Sequence, residues 1–167
     1  MSIRTRDECG CSLAAEVLEQ NGTVRVRVFG QSMLPTLWPG DVLTIQSQKL
    51  AAAATGDLVL YQRQGRFFVH RLISKSAAND AFITRGDCMT KSDPVASAAN
   101  FLGTIRTIRR GRAEIMPKRK LSPAIRMLAL GLSWSGLLQR AALRIHRSSA
   151  ERKPLLPELR ELRDGIE

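Results

Sequence analysis

The chain lacks any apolar run of the roughly 18 residues that a helix needs to cross a bilayer. Its stretch from Met127 to Leu138 is uncharged but only 12 residues long, too short to span. The first 20 residues hold no apolar core of a secretory signal, because Arg4, Arg6, Asp7, Glu8, Glu16 and Glu19 interrupt them. A cytoplasmic location, or one peripheral to a membrane, is therefore expected. Cysteine is scarce and odd in number: Cys9, Cys11 and Cys88. An odd count argues against a fully paired secreted framework. Cys9-Gly10-Cys11 has no second Cys pair, and the two histidines, His70 and His146, lie far along the chain. No metal and no cofactor are expected, and free thiols follow. No repeat of 20–50 residues is present, which excludes solenoids.

What is there suits one globular domain with an appendage: 167 residues, 44% hydrophobic and 25% charged. Lys and Arg number 26 against 15 acids, a net charge of +11. Such an excess points to an anionic partner. It is unevenly spread: residues 1–108 carry +3, residues 109–153 carry +10, and residues 154–167 carry −2. The basic character belongs to the tail and says little about the main domain.

Periodicity divides the chain into residues 1–22, 23–118 and 119–167. Ser12 to Gln20 reads as a short helix with Leu13, Val17 and Leu18 on one face, stopped by Asn21-Gly22. Thr23 to Phe29 alternates, with Val24, Val26 and Val28 on one side and Arg25 and Arg27 on the other, as in a half-buried strand. Asp41–Gln46, Asp57–Gln62, Arg66–Ile73 and Ala81–Thr84 read as further strands, with a hairpin turn at Gln64-Gly65. Leu102–Arg109 alternates weakly and is expected to close the sheet. The main domain is thus mainly β, a small barrel or coiled sheet. In the tail, Ser122-Pro123 is an N-cap followed by a first-turn proline, and a helical pattern runs to about His146. The end from Pro154 to Glu167 is expected to be loose.

Three segments combine into a candidate site. They are Gly30-Gln31-Ser32-Met33-Leu34-Pro35-Thr36, then Phe68-Val69-His70-Arg71-Leu72-Ile73, then Thr84-Arg85-Gly86-Asp87 with Asp93 six residues on. A serine hydroxyl is a weak nucleophile until a base takes its proton. An imidazole suits that task near neutral pH, and a carboxylate on its far nitrogen fixes the tautomer. By spacing alone, a turn serine, a core histidine and two loop aspartates explain the same residues.

These segments also carry a resemblance. Ser32-Met33-Leu34-Pro35-Thr36 with Gly40-Asp41 resembles the nucleophile box of type I signal peptidases. Gly56-Asp57-Leu58-Val59 resembles the strand that opens their next segment. His70-Arg71-Leu72-Ile73 is similar to the general-base box of the His-base members, of the endoplasmic-reticulum and archaeal kind. Thr84-Arg85-Gly86-Asp87 with Asp93 resembles the third box, and Leu102-Gly103-Thr104-Ile105 the closing strand. The resemblance covers roughly residues 23–108. It implies Ser32 as nucleophile, His70 as general base and Asp93 as orienting carboxylate. Asp87, Gly30, Met33, Pro35 and Arg71 are implied as supporting residues. The spacing itself leaves open an exchange of roles between Asp87 and Asp93. The oxyanion hole would use the Ser32 backbone N–H. Some members add a serine hydroxyl two residues before the nucleophile, where this chain has Gly30. Substrate is expected as an added β-strand, with Met33 and Leu34 near its pocket.

The chain departs from that family in having no N-terminal membrane span in its sequence. The resemblance then implies a serine endopeptidase that removes a leader or propeptide from a specific partner protein or peptide. The rivals are a LexA- or UmuD-like self-cleaving regulator and a non-catalytic basic binding module. Residues 121–147, basic and amphipathic, are expected to contact an anionic membrane; nucleic acid is not the expected partner.

Overall fold

The computed structural model describes residues 13–134. A helix, α1, occupies residues 13–21. Eight strands follow: β1 (Thr23–Arg27), β2 (Val42–Ser47), β3 (Leu58–Arg63), β4 (Arg66–Ser76), β5 (Ala81–Arg85), β6 (Ala96–Ser97), β7 (Phe101–Arg110) and β8 (Ala113–Ile115). The last element is helix α2 (Pro123–Trp134). The mainly β architecture expected from the alternation is present, as one curled sheet with a short helix at each end.

The strands form a single antiparallel sheet in the order β1-β2-β7-β3-β4-β5-β6, with β8 paired to β7. β7 does not close this sheet, as its weak alternation suggested. It lies in the middle, between β2 and β3. Both its faces are covered, so Phe101, Gly103, Thr104, Ile105 and Ile108 are all buried. Period-two patterning fades when both sides of a strand face protein. β3 shows the same effect. Leu58 and Leu60 enter one apolar cluster with Leu18, Leu43 and Ile45, while Val59 and Tyr61 enter a second with Leu72 and Phe82. The register shifts at Thr44/Ile45, Leu60/Tyr61 and Leu72/Ser74, which are the irregularities that bend a sheet.

The local signals mostly hold. Gly22 adopts φ +70° and its N–H reaches the Leu18 carbonyl at 3.0 Å, closing α1. Gln64 and Gly65 both have positive φ, the conformation of a tight hairpin turn whose twist matches its strands. The Ser122 hydroxyl accepts from the Ile125 N–H at 3.4 Å at the start of α2. Within α1, Leu18 is the buried anchor, whereas Leu13 is 62% exposed. β1 ends at Arg27, and Phe29 is 83% exposed rather than part of the strand. β4 runs on to Ser76. Two strands carry no pattern at all: β6 is two residues long, and β8 is exposed throughout. Register with a partner creates both. The expected helical continuation to His146, the Cys9-Gly10-Cys11 motif and the Pro154–Glu167 end lie outside the described residues. Among the described residues, no helix is long and apolar enough to cross a membrane.

At Gly103 the β7 backbone passes so close to β2 that a Cβ would collide with the Gln46 carbonyl oxygen. Backbone on backbone has no rotamer to yield. Gly103→Ala is expected to destabilise the fold by about 2 kcal/mol or more, read as a lower midpoint in urea unfolding.

Candidate active site

The turn after β1 starts the site. Met33, Leu34 and Leu37 are buried in the core, and backbone bonds from Leu34 N–H to Gln31 O (3.1 Å) and Leu37 N–H to Met33 O (3.0 Å) wind the chain over them. The Leu34-Pro35 peptide is cis. Ser32, at the rim of this turn, stays partly open. Met33 lines the adjoining groove. Leu34 is fully buried and does not: its side chain is committed to the core.

The turn is held by Asp41, which is 2% exposed. Its carboxylate accepts from the Trp38 N–H at 2.8 Å and from the Arg110 guanidinium at 2.9 and 2.7 Å. Arg110 also donates to the Thr36 carbonyl at 3.0 Å. The far end of β7 thus braces the segment that carries Ser32.

His70 lies in β4 and is 4% exposed. Its ring sits 6.2 Å from those of Tyr61 and Phe68. The Ser32 Oγ is 2.8 Å from His70 Nε2, and Asp93 Oδ2 is 2.6 Å from Nδ1. Asp93 also accepts from the Thr84 hydroxyl at 2.6 Å, and its own N–H donates to the Thr84 carbonyl at 2.8 Å. An ionised Asp93 accepts at Nδ1–H and leaves Nε2 unprotonated, free to take the Ser32 proton. The three side chains therefore form one hydrogen-bonded series of hydroxyl, imidazole and carboxylate.

Asp87 is placed elsewhere. Arg71 Nε and Nη2 donate to its two oxygens, each at 2.8 Å, and the Thr36 hydroxyl adds a bond of 2.5 Å. The remaining guanidinium nitrogen of Arg71 donates to the carbonyls of Gly56 (2.7 Å), Lys118 (2.8 Å) and Arg119 (3.2 Å). Both partners of the ion pair are more than nine-tenths buried. The two aspartates meet different groups: Asp93 meets the imidazole, and Asp87 meets the guanidinium next to it.

Three participants lie within the segments that the sequence singles out but have no role assigned there. Thr84 and Thr36 supply hydroxyls to the two carboxylates. Gly86 brings the Asp87 loop against the Ser32 turn: a Cβ there would lie 2.5 Å from the Ser32 carbonyl oxygen, and the Cys88 N–H bonds that same oxygen at 2.9 Å. Burial, aided by the Asp87 charge, pushes the Cys88 thiol up, so it stays protonated beside the serine. The Tyr61 hydroxyl is buried and makes no hydrogen bond among the described residues. Burial raises its phenol first, with Thr84 opposing and Asp93 adding to the effect.

A groove of about 930 Å³ opens beside Ser32 and His70, lined on one side by Val26 to Gly30 and on the other by Arg66 to Val69. No cluster of His, Cys, Asp and Glu suited to a metal occurs among the described residues. Lys75, the lysine nearest the base segment in sequence, donates to the carbonyls of Leu50, Ala51 and Ala53 at 3.2, 2.6 and 2.6 Å and takes no part in the site.

Gly86→Ala is expected to push the Ser32 turn away from His70. Reactivity of Ser32 toward a fluorophosphonate probe should drop at least about tenfold while the thermal midpoint moves by only a few degrees.

The chain matches no curated protein. Residues 3–82, a span that holds Ser32 and His70 but stops short of Asp93, match the family model described as Peptidase S24-like, and over that span the chain is similar to that family.

Proposed function

We propose that this protein is a serine endopeptidase in which Ser32 attacks, His70 moves the proton and Asp93 orients the imidazole. The observation that carries the reading is the unbroken series of hydrogen bonds from Ser32 Oγ through His70 to Asp93, 2.8 and 2.6 Å long. The similarity to Peptidase S24-like proteins supports the same class of chemistry.

In this mechanism the hydroxyl proton passes to Nε2 as Oγ bonds to the scissile carbonyl carbon. The imidazolium that forms is stabilised by the Asp93 carboxylate, itself held by Thr84. His70 then returns the proton to the leaving amine, the acyl–Ser32 ester forms, and a water activated by the same imidazole hydrolyses it. The Ser32 N–H donates to no described residue and is available for the oxyanion. The Cys88 N–H holds the Ser32 carbonyl at 2.9 Å, on the far side of the residue from that N–H.

The proposed substrate is an extended peptide laid as a strand in the groove. Two strand edges support this. Among the described residues β1 pairs only with β2, and β4 is paired with β5 only from Arg71 onward, which leaves the Arg66–His70 half of β4 with an edge that no described strand covers. Unpaired edges offer the backbone donors and acceptors that an added strand needs. Cleavage of a leader or propeptide from a partner protein is the reading we favour.

A second reading, self-cleavage of a LexA-like kind, is favoured by the Peptidase S24-like match. Incubating purified wild-type chain and Ser32→Ala, then sequencing new N-termini, separates the two. A cut within this chain whose rate is independent of concentration supports self-cleavage.

Ser32→Ala is expected to abolish fluorophosphonate labelling with an unchanged fold. Asp93→Asn should lower kcat/KM by about 10³–10⁴, because the amide favours the wrong imidazole tautomer. Labelling that persists in Ser32→Ala overturns the proposal. A Cβ at Gly30 meets nothing within 4 Å. Gly30→Ser should therefore fold normally and raise kcat, by up to about tenfold, if its hydroxyl reaches the oxyanion.

A further inference from the structure

Helix α2 presents apolar side chains to solvent. Met127 is 70% exposed, Leu128 54% and Ile125 37%, and Met116 just ahead of the helix is 68% exposed. Ile125 and Leu128 stand one turn apart on the same face. Ala129 is the one α2 residue buried among the side chains described. Several large apolar side chains left open along one short segment of a small protein mark a surface that meets something.

The charge around it says what. Residues 109–134 hold seven basic residues and one acid. Arg110 and Arg119 are spent on Asp41 and Asp57. Arg112, Lys118, Lys120 and Arg126 are exposed and make no ion pair among the described residues. We propose that α2 and the basic segment before it form a docking surface for an anionic lipid bilayer, with the helix lying in the plane of the interface. Apolar side chains among unpaired cations are the composition of an interfacial helix. A nucleic acid would use the cations but leave Met116, Met127 and Leu128 in water. The 12 described residues of α2 run about 18 Å, and among the described residues no helix is long and apolar enough to cross a membrane.

The surface is mounted firmly. Arg71 grips the Lys118 and Arg119 carbonyls from inside the protein, and Arg119 grips Asp57. Arg71 is also the residue after His70. Docking through this segment would hold the Ser32–His70 groove at a set height above the lipid, and the peptides it meets would be those near that surface.

The test is co-sedimentation of the full chain with vesicles of phosphatidylcholine, alone or mixed with phosphatidylglycerol. Binding to the anionic vesicles should be at least about tenfold stronger and should fade as salt rises from about 0.1 to 1 M, where screening shortens to about 3 Å. Met127→Asp with Leu128→Asp, both exposed, should cut binding about tenfold, as should Lys118→Glu with Lys120→Glu. Circular dichroism and fluorophosphonate labelling of Ser32 should stay as in wild type for both, which keeps this result separate from the proteolytic reading. Equal binding to both vesicle types, or binding untouched by the Met127/Leu128 pair, overturns the proposal. So does retention on duplex DNA without vesicle binding.

Discussion

A buried guanidinium organises this protein. Arg71 has five N–H donors and almost no access to water, so each must find an acceptor in the protein or cost the free energy of a desolvated polar group. All three of its nitrogens find acceptors, on three separate stretches of chain: the Asp87 carboxylate, the Gly56 carbonyl, and the carbonyls of Lys118 and Arg119. Removing either member of such a pair strands the other charge, which is why the arrangement tolerates few alternatives. With Asp87 captured, the loop beyond it runs a defined course, and Asp93 arrives at His70 Nδ1. Two chemically identical aspartates thus end on different partners, Asp87 on the Arg71 guanidinium and Asp93 on the His70 imidazole.

The same logic brings Ser32 to the imidazole. Ser32 and His70 are 38 residues apart and belong to different parts of the sheet. The Ser32 turn is pinned below by Met33, Leu34 and Leu37, from one side by Arg110 and Asp41, and from the other by Gly86 and Cys88. Apolar burial fixes where the turn lies, and charged and backbone bonds fix how it is rotated. A hydroxyl must be set to within a fraction of an ångström to pass its proton, and neither kind of contact alone supplies that. The late strand β7 contributes by joining β2 to β3, so that the two halves of the sheet, one bearing Ser32 and the other His70, become one surface.

Much of this was legible beforehand, for identifiable reasons. β1 and β2 each have one covered face, so their alternation is visible. Gln64-Gly65, Asn21-Gly22 and Ser122-Pro123 announce their turns and caps through backbone chemistry local to two residues. β6 and β8 were invisible because two or three residues carry no period, and the central place of β7 was hidden by burial on both faces. In the site, Ser32, His70 and the two aspartates stood out as residue types. Thr36, Thr84 and Gly86 did not, since a hydroxyl donor or a missing Cβ matters only once something stands beside it.

The division between the two levels is physical. Sequence by itself determined the local quantities: strand and turn positions, the kinds of side chain that could do acid–base chemistry, and a basic tail set apart from a nearly neutral domain. Tertiary structure decided every matter of distance between remote segments. It chose which aspartate faces the imidazole, left Leu34 in the core while Met33 reached the groove, and left Met127 and Leu128 exposed beside cations that form no ion pair among the described residues. Those outcomes depend on how far apart non-local groups end up in a crowded interior, and no pattern along the chain encodes a distance through space.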